Sequence, residues 1–327
     1  MNEIETFDSH SGHNFLTKDK VEHPMDAHVV MEEAGALFDV AYPASGYESE
    51  FSIFPGQGMT TPAVKSGVNK GKPLHKYVVR TDTNDVLGLH SYKYAETEGY
   101  GFIADMAEEL FPEKTTSCTV FGVGEKIAVT QELIAPTDLG DGDVIQPQIC
   151  WITSYNGVWA TAVYDLTERL FCQNQLIGQQ PLVKVKHTKN HDRLLEMRVR
   201  ILEGSIARAE TLVSMARILK DQEYTDQQFD ELVTELLPYD AKEMTERQIN
   251  NVLTRQQYCR GAWYKEKQEF GAGNRWLAFN AVQGAEQHRI NGRTRGGGYH
   301  QDKALEKAID NKTPLADRAL DLLTVQQ

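Results

Sequence analysis

Apolar and polar positions alternate between residues 75 and 165 in the manner of antiparallel strands, and turn-forming residues interrupt the alternation at three places. The interruptions are Asp82-Thr83-Asn84-Asp85, Gly124-Glu125 and Asn156-Gly157, of which the last is typical of a two-residue type I′ turn. Hairpins are therefore predicted over 75–94, 117–134 and 148–165. We expect them to form one curved sheet of roughly six strands.

A helical period replaces the alternation after residue 190. Apolar side chains there recur at steps of three and four, which predicts a long helix over 190–220 with one apolar face. The members of this face are Leu195, Val199, Leu202, Ile206, Ala209, Val213 and Ala216. Because so long a helix needs a partner of similar length, we expect it to pack across the sheet. Shorter helices are predicted at 25–38, 98–110, 225–237, 240–265 and 274–290, and near Gln301 and Pro314.

These elements predict an α+β protein, with an antiparallel β-sheet built of hairpins, a long helix packed on it and a C-terminal helical region. The predicted organisation has three parts. Residues 1–74 form an N-terminal arm with a short helix, and residues 75–220 form the core of sheet and long helix. Residues 221–327 form the helical region, which contains a loop rich in glycine and arginine at 291–299.

The composition is that of an ordinary globular protein, with 327 residues of which 40% are hydrophobic and 25% charged. Short apolar runs and a polar beginning predict no membrane contact and no secretory signal. The four cysteines contain no C-x-x-C pair, which is typical of a reducing compartment. We therefore expect a cytoplasmic protein, located in the host cell cytoplasm if the chain is phage-encoded.

The net charge of -13 argues against general affinity for polyanions, because such affinity comes from neutralised phosphates. The charge is unevenly distributed, however. Residues 247–303 carry ten basic and four acidic side chains. An anion site is therefore predicted in the C-terminal third of the chain.

Motifs for nucleotide hydrolysis and nucleophilic catalysis are absent from the sequence. Gly122-Val123-Gly124-Glu125-Lys126 lacks the spacing of a phosphate-binding loop, and no G-x-S-x-G elbow occurs. His187 and His191 have the spacing of metal ligands on a helix, but the lysines around them would repel a cation. The sequence thus predicts no catalytic residue, metal or cofactor, although an enzymatic role stays open.

Two basic segments are candidate contacts for a nucleic-acid backbone. The first leads into the long helix, where exposed N–H groups favour anions, and an ordinary charged helix entry is its alternative interpretation. The second is the loop after residue 288, whose composition suits a single strand but also a plain surface linker. The candidate residues are Lys184, Lys186, Lys189, Arg193, Arg289, Arg293, Arg295 and Tyr299.

Carboxamides form a second group of candidates. Gln173 and Asn174 follow the last predicted strand, and Asn280 interrupts an apolar helix. Because buried carboxamides must be hydrogen-bonded, these residues together with His187 predict either a polar network or a pocket for a ligand.

Several of these segments carry a resemblance to a known family. Leu170-Phe-Cys-Gln-Asn-Gln-Leu176, Lys186-His187-Thr188, Trp276-x-x-Phe-Asn-Ala-Val282 and His288 together resemble an uncharacterised family of phage- and plasmid-encoded proteins. The resemblance covers roughly residues 28–290. The outline of a hairpin sheet followed by a long helix is in turn similar to single-strand annealing recombinases. That likeness implies an ATP-independent protein without metal, which forms rings or filaments and holds single-stranded DNA in a basic groove.

The leading hypothesis is therefore a protein that binds and anneals single-stranded DNA in phage recombination or replication. Its expected partners are single-stranded DNA and further copies of the chain, with a phage exonuclease or a host protein as additional candidates. Two alternatives stay open. One is an enzyme acting on nucleotides or nucleic acid with a carboxamide and histidine pocket, and the other is a phage-encoded interaction or anti-defence protein that uses its acidic first half.

Overall fold

The predicted hairpins are present in the computed structural model, which describes residues 20–43, 75–170, 174–177, 180–186, 198–291, 301–310 and 313–325. All strand pairs within these ranges are antiparallel. In chain order the strands are β1 (Lys20–Met25), β2 (Val40–Ala41), β3 (His75–Arg80), β4 (Val86–Ser91), β5 (Thr115–Phe121), β6 (Lys126–Glu132), β7 (Thr137–Asp138), β8 (Val144–Ser154), β9 (Thr161–Arg169), β10 (Asn174–Ile177) and β11 (Val183–Val185).

The strands of the described residues belong to two sheets. The larger has the order β1–β5–β6–β8–β9–β10, with β7 paired to β8 and β11 paired to β9. The smaller has the order β2–β3–β4. The first predicted hairpin therefore does not join the others, and the prediction of one sheet was wrong. Val78 and Leu87 of this first hairpin nevertheless pack in the same core as Tyr155, which follows β8 of the larger sheet.

The third hairpin has the predicted strands but not the predicted turn. Residues 155–160 connect β8 to β9, and Gly157 has a φ of 77° whereas Asn156 has none in the positive range. A type I′ turn needs positive φ at both central residues, so this part of the prediction was wrong. The longer connection lets Ser154 Oγ donate to the carbonyl of Trp159 and accept from its N–H, both at 2.9 Å.

The helices follow the predicted order. They are α1 (Ala27–Glu33), α2 (Gly101–Leu110), α3 (Arg198–Lys220), α4 (Asp226–Leu236), α5 (Glu246–Phe270), α6 (Arg275–Ala285), a π-helical turn (Glu286–Ile290), α7 (Gln301–Ile309) and α8 (Pro314–Val325). Side-chain caps set several of the starts. Thr225 and Thr245 each form a capping box, and Asn274 accepts from Leu277 N at 2.9 Å. The Thr245 cap explains why α5 begins six residues later than predicted.

The core has three parts. One face of the larger sheet packs on α1 and α2, the other face packs on α7 through Ile309, and the remaining helices form their own cluster around Trp263 and Phe279. The long helix α3 spans two of these parts, because Ile201 lies in the first and Val213 in the helical cluster. The α+β architecture with a long helix against the sheet is thereby confirmed.

The buried face of α3 differs from the predicted one. Ala209, Val213 and Ala216 are buried as predicted, but Leu202 and Ile206 are 38% and 37% exposed. Ile201 and Ser205 are fully buried in their place. The helix is therefore rotated, so that the small Ser205 rather than the larger Ile206 faces its neighbours. Sequence periodicity indicated a helix correctly and its contact face only approximately.

Candidate nucleic-acid interface

Strand β11 places two of the predicted lysines at the border between the larger sheet and the long helix. Val183 and Val185 are buried in the core that also contains Ile201 of α3. Because successive residues of a strand face opposite sides, Lys184 projects away from this core, and both it and Lys186 are exposed. Lys184 therefore lies in a strand. The sequence had predicted that it lies at the entry to the long helix.

The long helix adds a third cation at the same border. Its Arg208 donates to the carbonyl oxygen of Gln180 at 2.7 Å and to Asp165 Oδ1 at 2.8 Å. These contacts tie α3 to the segment before β11 and leave the Arg208 side chain 41% exposed. We call Lys184, Lys186 and Arg208 the basic edge. Among the described residues, Asp165 is the one carboxylate that is paired with these three cations.

A cleft of about 270 Å³ adjoins the basic edge, between β9, β11 and the end of α7. Its lining includes Ile152, Trp159 and Tyr164, which are at most 9% exposed, so little of their apolar surface is open to the cleft. Its rim is polar and includes Lys184, Gln180 and Asp310. We call it the β9–β11 cleft. Residues from four separate parts of the chain form it, so only folding brings them together.

Helix α7 forms one wall of the cleft and is fixed to the sheet by side-chain contacts. The indole Nε1 of Trp159 donates to Asp310 Oδ1 at 2.9 Å. Lys126 forms an ion pair with Glu306, and its ammonium lies 5.2 Å from the Trp159 ring centroid. The Lys126 side chain is only 8% exposed. These contacts fix Asp310 and the end of α7 beside Trp159.

Two polar side chains of the cleft, those of Tyr164 and Lys184, can face a ligand. Within the described ranges, neither the hydroxyl of Tyr164 nor the ammonium of Lys184 has a hydrogen-bond or ion-pair partner. Burial raises the pKa of Tyr164, and the nearby Cys150 and Asp310 raise it further. The hydroxyl is therefore neutral at physiological pH and can both donate and accept a hydrogen bond.

The structure brings two of the predicted carboxamides together. Asn174 Nδ2 on β10 donates to the carbonyl of Asn280 on α6 at 3.0 Å, and Asn280 Nδ2 donates to the carbonyl of Trp276 at 2.9 Å. His288 Nε2 lies 3.2 Å from Asn174 Oδ1. Asn174 and Asn280 are 2% and 1% exposed. Their polar groups therefore bind one another and the helix backbone, in the arrangement of a buried network.

The other predicted residues do not line the cleft in the described part of the chain. Arg289 lies in the π-helical turn, half-buried and apart from the cleft lining. Outside the described residues lie Gln173, His187, Lys189, Arg193, Arg293, Arg295 and Tyr299.

Sequence reasoning missed a buried ion cluster beneath the helical layer. Arg169 Nε and Nη2 donate to the two carboxylate oxygens of Asp143 at 2.6 and 2.8 Å, and Nη1 donates to Glu266 Oε2 at 2.6 Å. Trp276 Nε1 donates to Asp143 Oδ2 at 3.0 Å. Burial raises the pKa of Glu266, and the Arg169 guanidinium opposes this effect. No local sequence pattern predicts the cluster, because its charged residues come from β9, the β7–β8 turn and α5.

A second buried carboxylate, Glu286, begins the π-helical turn. It accepts from the backbone N–H groups of Ala316 and Leu315, at 2.8 and 3.3 Å, and so caps the start of α8. Burial raises its pKa to about 7 despite these hydrogen bonds, which lower it. Glu286 is 1% exposed.

Residues 90–310, about two thirds of the chain, match the model of a protein family described as Domain of unknown function (DUF932). The chain belongs to this family. The matched DUF932 segment contains the whole basic edge, the β9–β11 cleft, the ion cluster and the Asn174–Asn280 network. The predicted membership in an uncharacterised family is thereby confirmed. No curated protein and no solved structure matches the chain.

The described ranges of this DUF932 protein contain neither a candidate membrane span nor a candidate metal cluster. No helix there combines the length and apolar character that a membrane span requires. The same residues contain no group of three or more His, Cys, Asp or Glu side chains placed to hold a metal ion.

Proposed function

We propose that this DUF932 protein binds single-stranded DNA along the basic edge and anneals complementary strands in phage recombination or replication. It acts without ATP and as a homo-oligomer. The observation that carries the proposal is the position of Lys184, which lines the β9–β11 cleft beside the exposed Lys186 and whose ammonium has no partner among the described residues. Cations that follow a phosphate backbone beside aromatic rings are the usual means of binding a single strand without sequence preference.

The acidic net charge is compatible with this proposal because only the local charge meets the strand. Lys184 and Lys186 alternate with the buried valines of β11, so their ammonium groups lie on one side of the strand. Arg208 joins them from α3, and its guanidinium already bonds to the chain that precedes β11. A backbone on the cleft side of β11 would meet Lys184 and Lys186, whereas Arg208 lies on the α3 side of the sheet, toward which Asp165 faces.

The competing enzyme hypothesis receives less support. It requires carboxamide groups that are free to face a substrate. The side-chain amides of Asn174 and Asn280 instead donate to backbone carbonyls of α6. The polar network is therefore the better interpretation of these two residues.

The proposal is tested by fluorescence anisotropy with labelled single- and double-stranded oligonucleotides at about 50 and 200 mM salt. We expect preference for the single strand, and affinity that falls with salt. Substituting both Lys184→Ala and Lys186→Ala should weaken binding and reduce the salt slope by about 0.7 for each lost phosphate contact. Lys242→Ala is the matched control, because Lys242 is also exposed but lies between α4 and α5.

Annealing is measured in the same samples, with complementary strands that carry a fluorophore and a quencher, without ATP or metal. The wild type should accelerate pairing, and light scattering should show that it does so as an oligomer. Absence of affinity for the single strand, or a double variant that keeps the wild-type salt slope, would contradict the proposal.

A further inference from the structure

Strand β4 forms one end of the smaller sheet, and within the described ranges no other strand pairs with its outer edge. The other outer strands are short or interrupted. β2 and β7 have two residues each, β11 has three and β10 has four, and β1 contains Pro24, which has no N–H to donate. β4 has six residues and contains no proline and no Lys, Arg, Asp or Glu. Because proteins usually protect long strand edges by such means, the β4 edge indicates pairing with a further strand.

The side chains that β4 turns toward solvent are apolar. Leu89 is 53% exposed and Val86 is 41% exposed. Between them in sequence, Leu87 lies in the core and is 2% exposed. Two exposed aliphatic side chains on a strand with an open edge form a surface that cross-strand neighbours would cover.

The strand is already fixed in the conformation that such pairing requires. It pairs with β3 along its length, apart from a bulge at Leu87. On its inner side His90 Nε2 donates to the carbonyl oxygen of Tyr155, and the His90 ring stacks on Tyr94 with centroids 3.9 Å apart. Because these contacts order the strand before any partner arrives, pairing costs little further conformational freedom.

The charges at the two ends of β4 are opposite in sign. Asp85 directly precedes the strand and the exposed Lys93 follows it, four residues to either side of Leu89. Neither side chain has an ion-pair partner among the described residues, although the Lys93 ammonium lies 5.8 Å from the Tyr92 ring centroid. If two copies of β4 run antiparallel with Leu89 at the centre, the acidic end of each meets the basic end of the other. The strand is therefore complementary to a second copy of itself.

We propose that the β4 edge is a homodimer interface, at which the β4 strands of two copies pair antiparallel. The two Leu89 side chains meet on the two-fold axis, Asp85 of each copy lies near Lys93 of the other, and the two three-stranded sheets become one continuous sheet. A two-fold contact uses the same surface on both copies, so it closes at two chains. This inference rests on the proposed function only in its expectation of several copies, for which it names a surface, and it requires no DNA.

Sedimentation velocity of the full chain over a wide range of protein concentration tests the interface. We expect the wild type to form a dimer or a multiple of one. Leu89→Lys should weaken this association about tenfold or more, because it brings two ammonium groups to the place where two apolar side chains meet. Ile218→Lys is the matched control, since Ile218 is 49% exposed but lies on α3. Circular dichroism and the midpoint of thermal unfolding verify that each variant is folded.

Charge exchange tests the antiparallel arrangement without touching the apolar centre. Asp85→Lys and Lys93→Asp should each weaken association about two- to fivefold, because like charges then face each other at both ends of the paired strands. An equal mixture of these two variants should associate as the wild type does and should contain mainly mixed dimers, because every facing pair again has opposite charges.

The outcomes separate this inference from the proposed function, provided that oligonucleotide anisotropy is measured on the same samples. A wild type that stays monomeric overturns the interface, and strand binding by that monomer would still stand. Equal association of Leu89→Lys and Ile218→Lys, or a charge-exchange mixture that associates no better than its components, also overturns the interface. If Leu89→Lys separates the copies but the wild type binds no single strand, the proposed function fails and the interface stands.

Discussion

Arg169 ends β9 with its guanidinium buried between two carboxylates, and its side chain is 2% exposed. It bonds to both oxygens of Asp143 and to Glu266, and its guanidinium lies 4.3 Å from the Phe270 ring centroid. The pairing stabilises the fold, because the guanidinium or either carboxylate would be a buried charge without an opposite charge if its partners were removed. At the residue scale, this one side chain joins the sheet to α5 and, through Asp143 and Trp276, to α6.

We expect Arg169→Met to lower the free energy of unfolding by about 3–5 kcal/mol, because it leaves Asp143 and Glu266 buried without their cation. Urea denaturation measures this loss. Arg260→Met is the matched control, since the Arg260–Asp230 pair is 36% and 58% exposed and such a pair contributes less than about 1 kcal/mol. Equal losses in the two variants would show that the buried cluster is not a special contributor to stability.

At the scale of elements, Gly284 sets how closely α6 approaches β10. A Cβ atom at this position would lie 3.0 Å from Asn174 Oδ1 and 3.3 Å from its Nδ2. The helix therefore meets the strand at a residue without a side chain, directly beside the Asn174–Asn280 contact. Its φ is not in the left-handed region, so the glycine is needed for close approach and not for backbone conformation.

We expect Gly284→Ala to destabilise the wild type but to stabilise the Asn174→Ala variant by about 0.5–1 kcal/mol. The reason is that alanine has the better helix propensity once the steric conflict with Asn174 is removed. Urea denaturation of the four proteins gives the coupling energy. Gly261→Ala in α5 is the control, because nothing lies within 4 Å of its added Cβ and it should stabilise both backgrounds. If Gly284→Ala changed the free energy of unfolding in the same direction in both backgrounds, the proposed steric conflict with Asn174 would be contradicted.

At the scale of the whole molecule, two effects make stability depend on pH in the same direction. The net charge of -13 implies self-repulsion that grows as histidines lose their protons. In addition, burial raises the pKa of Glu286 to about 7 from an ordinary 4.5, with Asp317 acting in the same direction and Arg255 against it. Between these two values the folded chain keeps a proton that the unfolded chain releases, so the free energy of unfolding falls as pH rises.

We expect the wild type to lose about 3 kcal/mol more stability between pH 4.5 and 8 than Glu286→Gln does, because glutamine does not titrate. Urea midpoints at several pH values give both curves. Glu246→Gln makes the same chemical change at an exposed position of α5 and should keep the wild-type pH dependence. If Glu286→Gln followed the wild-type curve, the buried carboxylate would not be the group that titrates.

Local sequence signals determined the elements of this protein. Turn residues and β-favouring runs predicted the hairpins, and helical periodicity predicted the long helix and the order of the shorter ones. These signals act between residues a few positions apart, so they can be read along the chain. For the same reason the sequence pointed to Lys184, Asn174 and Asn280 individually but not to their neighbours in space.

The tertiary structure decided which elements meet. It alone put the first hairpin into a second sheet, turned Ile201 rather than Leu202 into the core, and brought Arg169 to Glu266, 97 positions away. It also assembled the β9–β11 cleft from residues 152 to 310. The physical reason is that burial and charge pairing depend on packing among distant segments, which local propensity and period do not specify.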